Sequence, residues 1–200
     1  PDQVALPSRR TWLQGVASAG ALGAIGGVSA AETSWKPPML TLEPGSVILF
    51  QGDSITDSGR DKSVLEPNNG KALGKGYAAM AAGEILAAHP KLELKIFNRG
   101  ISGNKIPDLA GRWEEDAIKL KPSVLSILIG VNDLWHTFAF GNKYKATVAD
   151  YETGYRELID RSLEKIPGVK IVICEPFTTR TTDDFKVLAD YRAVAKKLAD

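Results

Sequence analysis

A short apolar run that stops abruptly constrains the fold of this chain more than any other feature of its sequence. The run, Val47-Ile48-Leu49-Phe50, is followed at once by Gln51 and by the small polar tripeptide Gly52-Asp53-Ser54. An unbroken apolar run of this length is typical of a strand buried on both faces, as in a parallel sheet. The sequence therefore places Ser54 at the carboxyl end of a parallel strand, the edge where open α/β folds bind their ligands.

The rest of the chain alternates predicted strands with predicted helices. Apolar periodicity predicts helices over residues 106–120, 148–166 and 185–198, and an alanine-rich composition that Pro90 ends predicts a helix over 77–88. Apolar runs and apolar–polar alternation predict strands over 92–98, 124–129 and 169–174. The glycine-rich residues 59–76 are predicted to form a long loop. This alternation predicts βαβ units, and hence an α/β fold with a parallel sheet and helices on both faces. Since the last helix runs to Asp200, we expect a further strand and helix beyond it.

Residues 1–31 have the composition of an export signal. Arg9 and Arg10 precede an uncharged stretch rich in alanine and glycine that ends in small residues, a pattern that resembles a twin-arginine signal. An uncleaved membrane anchor is the alternative, which the low hydrophobicity of the stretch disfavours. The proline-containing residues 32–45 are predicted to be a linker, and residues 46–200 the folded domain. We therefore expect a periplasmic or extracellular protein without a stable membrane span.

Charge and cysteine content narrow the function classes. The formal net charge is +1, so no strong field favours nucleic acid or an acidic membrane surface. Cys174 is the one cysteine, so no internal disulfide is possible, and with two histidines the sequence suggests no zinc site. We predict no metal, no organic cofactor and no nucleic-acid partner, and the sequence does not indicate an oligomeric state.

Three polar positions follow three of the predicted strands. Ser54 offers a nucleophilic hydroxyl, Gly103 a backbone N–H that a ligand can approach closely, and Asn132 a neutral side-chain donor. Each alone has a structural explanation: Ser54 with Asp57 fits a helix-capping box, and the other two fit turns or caps. Because the carboxyl ends of parallel strands meet at one edge, the three are expected to share a cleft. Together they supply the nucleophile and donors of an acyl-transfer site.

The segments around these positions resemble the first three sequence blocks of the SGNH, or GDSL, hydrolase family. The blocks are Gly52 to Ile55, Asn98 to Asn104 and Gly130 to Asp133, in the family's order, and the resemblance extends from Val47 to the chain end. It implies a three-layer α/β/α, flavodoxin-like sandwich. Within it, Ser54 is implied to be the nucleophile, and the oxyanion is implied to be held by the Ser54 N–H, the Gly103 N–H and the Asn132 side chain. Isoleucine replaces leucine in the usual first motif, a mild departure.

The fourth block of that family, Asp-x-x-His, is not identified in the sequence. His89, at the predicted end of a helix, is interpreted as a surface residue. His136 is not expected to be the general base, because Asp133 is assigned to the third block; Trp135 and His136 are instead predicted to line the substrate cleft. We expect the fourth block after Asp200, and little or no activity from residues 1–200 alone, since a serine without a base is a poor nucleophile.

Family resemblance and leader together predict an exported serine esterase. Its expected substrates are short acyl esters, such as acetyl groups on carbohydrates, so the expected partner is a small-molecule or glycan ester. The alternatives are a lysophospholipase or thioesterase, an acyltransferase of the same fold, and a catalytically silent glycan-binding module.

Overall fold

Four parallel strands form one sheet in the computed structural model, which describes residues 40–200. The predicted leader and most of the predicted linker lie outside the described residues. The strands are β1 (Val47–Gly52), β2 (Lys95–Asn98), β3 (Val124–Leu128) and β4 (Lys170–Cys174). Their order in the sheet is β2-β1-β3-β4 and every neighbouring pair is parallel, which confirms the predicted α/β class.

Helices cover both faces of this sheet. The helices are α1 (Ser54–Asp57), α2 (Gly70–Leu73), α3 (Tyr77–Ala88), α4 (Ile106–Asp116), α5 (Val131–Phe138), α6 (Val148–Lys165) and α7 (Leu188–Ala199). Along β1, Ile48 and Phe50 pack into one apolar core with α2 and α3, whereas Leu49 packs into a second core with α4, α6 and α7. This alternation follows from the two-residue period of a strand, and it yields the expected three layers.

The strand order places a crevice at the carboxyl end of β1. The chain leaves β1 for β2 on one side and returns to β3 on the other, so the direction of winding reverses between β1 and β3. Open α/β sheets bind ligands at such a reversal. Residues directly after β1 and β3, Ser54 and Asn132 among them, therefore lie beside the crevice.

Two glycines allow the chain to pass closely at the end of β1. A Cβ on Gly52, whose φ is +156°, would lie 2.3 Å from the Leu128 carbonyl oxygen. A Cβ on Gly100 would lie 2.4 Å from the Asp57 backbone nitrogen. Since real Cβ atoms do not approach backbone so closely, glycine is required at both positions.

The structure corrects two predictions, one of a loop and one of the start of a strand. The predicted loop over residues 59–76 contains α2, which Asn69 caps by accepting a hydrogen bond from the Lys71 N–H at 2.9 Å. The strand predicted from residue 92 begins only at Lys95. The structure also adds α5 after Gly130, a helix that was not predicted; it begins without a side-chain cap, so the usual start signal is absent.

No helix within residues 40–200 has both the length and the apolar character needed to cross a bilayer.

Candidate active site

Ser54 is the first residue of the short helix α1 and is exposed. Asp53 before it is buried and caps the helix, since its Oδ1 accepts a hydrogen bond from the Ile55 N–H at 2.9 Å. The capping-box explanation for Ser54 and Asp57 is therefore wrong. The first N–H groups of a helix have no intrahelical acceptor, and no other acceptor within the described residues bonds the Ser54 N–H. Its hydroxyl and N–H are both available to a ligand.

Asp57, at the other end of α1, ties the helix to the segment that contains Gly103. Its Oδ2 accepts hydrogen bonds from the Ser102 N–H at 2.9 Å and the Ser102 hydroxyl at 2.8 Å, and Lys62 Nζ lies 2.8 Å away. Burial raises the pKa of the Asp57 carboxyl, but the hydrogen bonds from Lys62 and Ser102 outweigh burial and leave the pKa below its usual range. The carboxylate is thus ionised at neutral pH and holds Ser102 in place.

Gly103 lies between two anchored neighbours. Its φ is +83°, in the left-handed region that favours glycine, and a Cβ there would meet nothing within 4 Å. Ser102 before it is bonded to Asp57, and the Asn104 carbonyl after it accepts a hydrogen bond from Asn132 Nδ2 at 3.1 Å. No acceptor within the described residues bonds the Gly103 N–H. The Gly103 N–H is therefore available to a ligand, and its position is fixed by the hydrogen bonds of the residues on either side.

Asn132, the second residue of α5, is 3% exposed. One of its amide hydrogens is used by the Asn104 carbonyl, which leaves the second available to a ligand. Asn132 and Ser54 line the same cavity, of about 230 Å³. The other residues of this cavity come from the segments after β1, β3 and β4: Ile55, Val131, Trp135, Phe177, Thr178, Thr179, Arg180 and Phe185.

Ser54 also lines a second cavity, of about 600 Å³. Tyr77, Cys174, Glu175 and Phe177 are among its other lining residues. The nucleophile candidate therefore lies between two cavities. A further cavity of about 670 Å³, between α4 and α6, does not include Ser54.

The two residues predicted to line the cleft are placed differently. Trp135 lines the smaller cavity, and the Arg180 guanidinium lies 4.4 Å from the centre of its ring, as in a cation–π contact. His136 lines neither of the cavities that contain Ser54. Its ring packs against Phe140, with 4.8 Å between the ring centres, and burial together with the charge of Lys105 lowers the His136 pKa.

Asp133 precedes His136 by three residues, which is the spacing of an Asp-x-x-His block. Asp133 was nevertheless assigned to the third block, so this pair was not predicted to be the fourth. Asp133 Oδ1 accepts a hydrogen bond from the Ile106 N–H at 2.9 Å, and Asp133 Oδ2 has no partner among the described residues. Within the same residues His136 bonds neither Asp133 nor Ser54. His89 is exposed at the end of α3. Neither histidine is placed as an oriented base for Ser54.

Comparison with known proteins identifies the family. The model of the GDSL-like lipase/acylhydrolase family matches residues 50–200. The chain belongs to this family. A curated relative, an acetylxylan esterase of Geobacillus stearothermophilus, is 39% identical over 162 residues, which cover 78% of this chain and 72% of the relative.

Solved structures agree with this membership of the GDSL-like family. A crystal structure of a candidate GDSL-like lipase from Parabacteroides merdae shares 46% identity with a TM-score of 0.77, covering 81% of this chain and 76% of that one. The G. stearothermophilus acetylxylan esterase shares 34% identity with a TM-score of 0.71, over 80% and 74% of the two chains. Catalytic mutants of that esterase replace a serine, an aspartate, and a histidine three residues after the aspartate, each by alanine.

Three contacts in this GDSL-like site were not predicted from the sequence. The capping role of Asp53 was detectable, because aspartate is among the preferred residues at a helix N-cap. The contact of Asp57 with Ser102 joins residues 45 apart in the chain and has no local signal. The stacking of Arg180 on Trp135 likewise depends on how the loop after β4 meets α5.

Burial gives two carboxyl groups near the site unusual pKa values. It raises the pKa of Asp53 to about 6, against a partial opposing effect of the hydrogen bond from Ile55. It raises the pKa of Asp133 to about 7, again against a backbone hydrogen bond, here from Ile106. Asp133 therefore keeps its proton well above the pH at which an exposed aspartate loses it, directly beside Asn132.

We predict that Asp133→Asn makes stability less dependent on pH. The folded-state pKa of Asp133 lies above its ordinary value of 3.8, so the folded protein binds the proton more tightly than the unfolded chain. Wild-type stability should fall as pH rises from about 4 to about 7, by up to roughly 4 kcal/mol from this residue. Asparagine keeps the acceptor for Ile106 and carries no charge. Urea unfolding at several pH values should show that the free energy of unfolding of the variant increases relative to that of the wild type as the pH rises to about 7.

The control for this prediction is Asp160→Asn, at an exposed position on α6. Its unfolding free energy should follow the wild-type pH profile. A constant difference between Asp133→Asn and the wild type from pH 4 to pH 8 would contradict the prediction.

Proposed function

We propose that this protein is a serine esterase that removes acetyl groups from carbohydrates. The observation that carries the proposal is that Ser54 and Asn132 line one cavity at the reversal of the sheet. Membership of the GDSL-like family supports ester hydrolysis, and the acetylxylan esterase relative supports an acetylated carbohydrate as substrate.

In the proposed mechanism the Ser54 hydroxyl oxygen attacks the ester carbonyl carbon, and a general base takes the hydroxyl proton. The carbonyl oxygen becomes an oxyanion, which accepts hydrogen bonds from the Ser54 N–H, the Gly103 N–H and the Asn132 side chain. Collapse of this tetrahedral intermediate breaks the bond between the carbonyl carbon and the sugar oxygen. The sugar leaves as an alcohol, because its oxygen takes the proton that the base removed from Ser54. Water then attacks the acetyl-serine by the same route and releases acetate. Each donor is expected to contribute roughly 10²- to 10³-fold to the rate.

The general base is proposed to be the histidine of an Asp-x-x-His block. The relative's catalytic mutants support this, since one lacks an aspartate and another the histidine three residues after it. His136 is not assigned this role, because Asp133 is bonded to Ile106 instead of orienting the His136 ring. The expectation that residues 1–200 alone have little activity is part of this proposal.

Ser54→Ala is expected to reduce hydrolysis of p-nitrophenyl acetate and of acetylated xylo-oligosaccharides by roughly 10⁴- to 10⁶-fold, because it removes the nucleophile. Ser63→Ala is the matched control, since Ser63 is exposed and, among residues 40–200, bonds only Asp61. His136→Ala tests the base and should cost less than about tenfold. The measurement is kcat/KM of the full-length enzyme at neutral pH. Activity that survives in Ser54→Ala would refute the serine mechanism.

The walls of the smaller cavity suit a sugar. The half-buried Trp135, with the Arg180 guanidinium over one face of its ring, lines this cavity together with Ser54 and the hydroxyl-bearing Thr178 and Thr179. Aromatic faces bind the apolar side of a ring, while hydroxyl and guanidinium groups bond its polar edge. We therefore propose that Trp135 contacts the carbohydrate and takes no part in the reaction at Ser54.

Trp135→Leu is expected to lower kcat/KM for acetylated xylo-oligosaccharides by about tenfold or more, because an aromatic contact is worth roughly 1 kcal/mol beyond its buried area. Hydrolysis of p-nitrophenyl acetate, which has no sugar to contact, should change by less than about threefold. Both substrates are assayed with one enzyme preparation, so a folding defect would appear as an equal loss. Equal losses would contradict the assignment of Trp135 to sugar binding.

Export is proposed from the sequence alone. Arg9 and Arg10 precede an uncharged, small-residue stretch, which supports a twin-arginine route. Replacing both arginines by lysine in the natural gene should retain the protein in the cytoplasm, measured by cell fractionation. Unchanged export of that variant would contradict the proposed route.

A further inference from the structure

Arg112, on α4 and outside the three sequence blocks, bonds the backbone of two of them. Its Nη2 donates to the Gly52 carbonyl at 3.4 Å, and its Nη1 donates to the Arg99 carbonyl at 2.8 Å. Its Nε donates to the Asn104 side-chain oxygen at 2.8 Å. Gly52 lies two residues before the nucleophile, while Arg99 and Asn104 enclose the segment that contains Gly103.

The third block is reached through Asn104. The side chain of Asn104 accepts from Arg112, and its backbone carbonyl accepts from Asn132 Nδ2 at 3.1 Å. Asn104 is therefore held by Arg112 and in turn holds Asn132. One guanidinium connects, directly or through one residue, all three elements that carry the proposed oxyanion donors.

Arg112 is itself held in a fixed orientation. Asp116, one turn later on α4, accepts from Arg112 Nη1 at 2.8 Å, and the Arg112 side chain is 15% exposed. A guanidinium presents five N–H donors in a rigid plane and can bond acceptors on separate elements at once. The single ammonium group of a lysine cannot reach all of them.

Residues other than Arg112 pack α4 against the core. Leu109 and Trp113 on the same helix are fully buried, and Trp113 Nε1 donates to Ser162 Oγ at 3.0 Å. Changing Arg112 should therefore loosen the three donor-carrying segments while α4 stays docked.

We propose that Arg112 is a positioning residue that fixes the three oxyanion donors relative to one another. It does not touch the substrate. A donor that moves by about 1 Å from the oxyanion loses much of its stabilisation of the transition state, while binding of the ground-state ester is less affected. This inference rests on the proposed function in requiring Ser54 as the nucleophile and the Ser54 N–H, the Gly103 N–H and Asn132 as oxyanion donors; it does not depend on which ester is the substrate.

The first test is steady-state kinetics of the full-length enzyme with p-nitrophenyl acetate. Arg112→Ala should lower kcat about 10- to 100-fold and leave KM within about threefold. Guanidinium chloride at non-denaturing concentration should restore part of kcat by occupying the space of the lost side chain. Arg161→Ala is the control, since Arg161 pairs with Glu114 on the outer surface of the same helix pair; its kcat should not change or respond to guanidinium.

The inference fails if Arg112→Ala keeps the wild-type kcat, if only KM changes, or if guanidinium restores nothing while circular dichroism shows a folded protein. If Arg112→Ala does not fold, Arg112→Lys is judged instead. It keeps a charge but loses the planar fork, so a wild-type kcat in that variant equally overturns the proposal.

A second readout separates this inference from the proposed substrate. A fluorophosphonate reacts with an activated serine: the Ser54 oxygen forms a bond to phosphorus, the P–F bond breaks, and fluoride and the serine proton leave. Arg112→Lys should be labelled at least about tenfold more slowly than the wild type. If no acetyl ester is hydrolysed but this difference holds, only the substrate proposal fails. Equal labelling rates overturn the role of Arg112, and a wild type that is not labelled overturns both.

Discussion

The pairing of β1 with strands on both sides is the constraint on which the rest of the structure depends. Phe50 pairs with Asn98 on β2, and Gly52 pairs with Leu128 on β3. All three strands therefore end at nearly the same level, and the chain must leave each of them at one edge of the sheet. The nucleophile candidate and the two donor segments meet because of this register, before any side chain contributes.

Buried polar contacts then hold the loops that the sheet has brought together. Asn98 is fully buried and satisfied: its amide donates to the Thr56 and Leu73 carbonyls at 2.7 and 2.8 Å, and its oxygen accepts from the Gly100 N–H. Arg60 donates to the Gly100 carbonyl at 2.7 Å. Buried polar groups that lose their partners cost free energy, so these loops have few alternative conformations. Such rigidity suits donors that must already point at a developing charge.

The sequence was informative wherever the signal is local. The apolar run of β1, the alanine content of α3 and the periodicity of α6 predicted those elements nearly to the residue, and the order of polar segments after strands predicted which residues share an edge. The start of α5 could not be read in the same way, because it lacks a cap residue. Arg112 gave no signal either: on a helix surface it resembles any solvated arginine, and its role depends on three carbonyl or amide oxygens from distant parts of the chain.

Cys174 ends β4 and lines the larger cavity beside Ser54, with its sulfur 3.7 Å from Ser126 Oγ. It is the only thiol in the 200 residues, and burial raises its pKa, so it reacts slowly unless a reagent enters the cleft. A fluorescent or spin label carried by a small maleimide would thus attach at a single position in these residues. A label on the Cys174 sulfur would therefore report spectroscopically whether the cleft is empty or occupied.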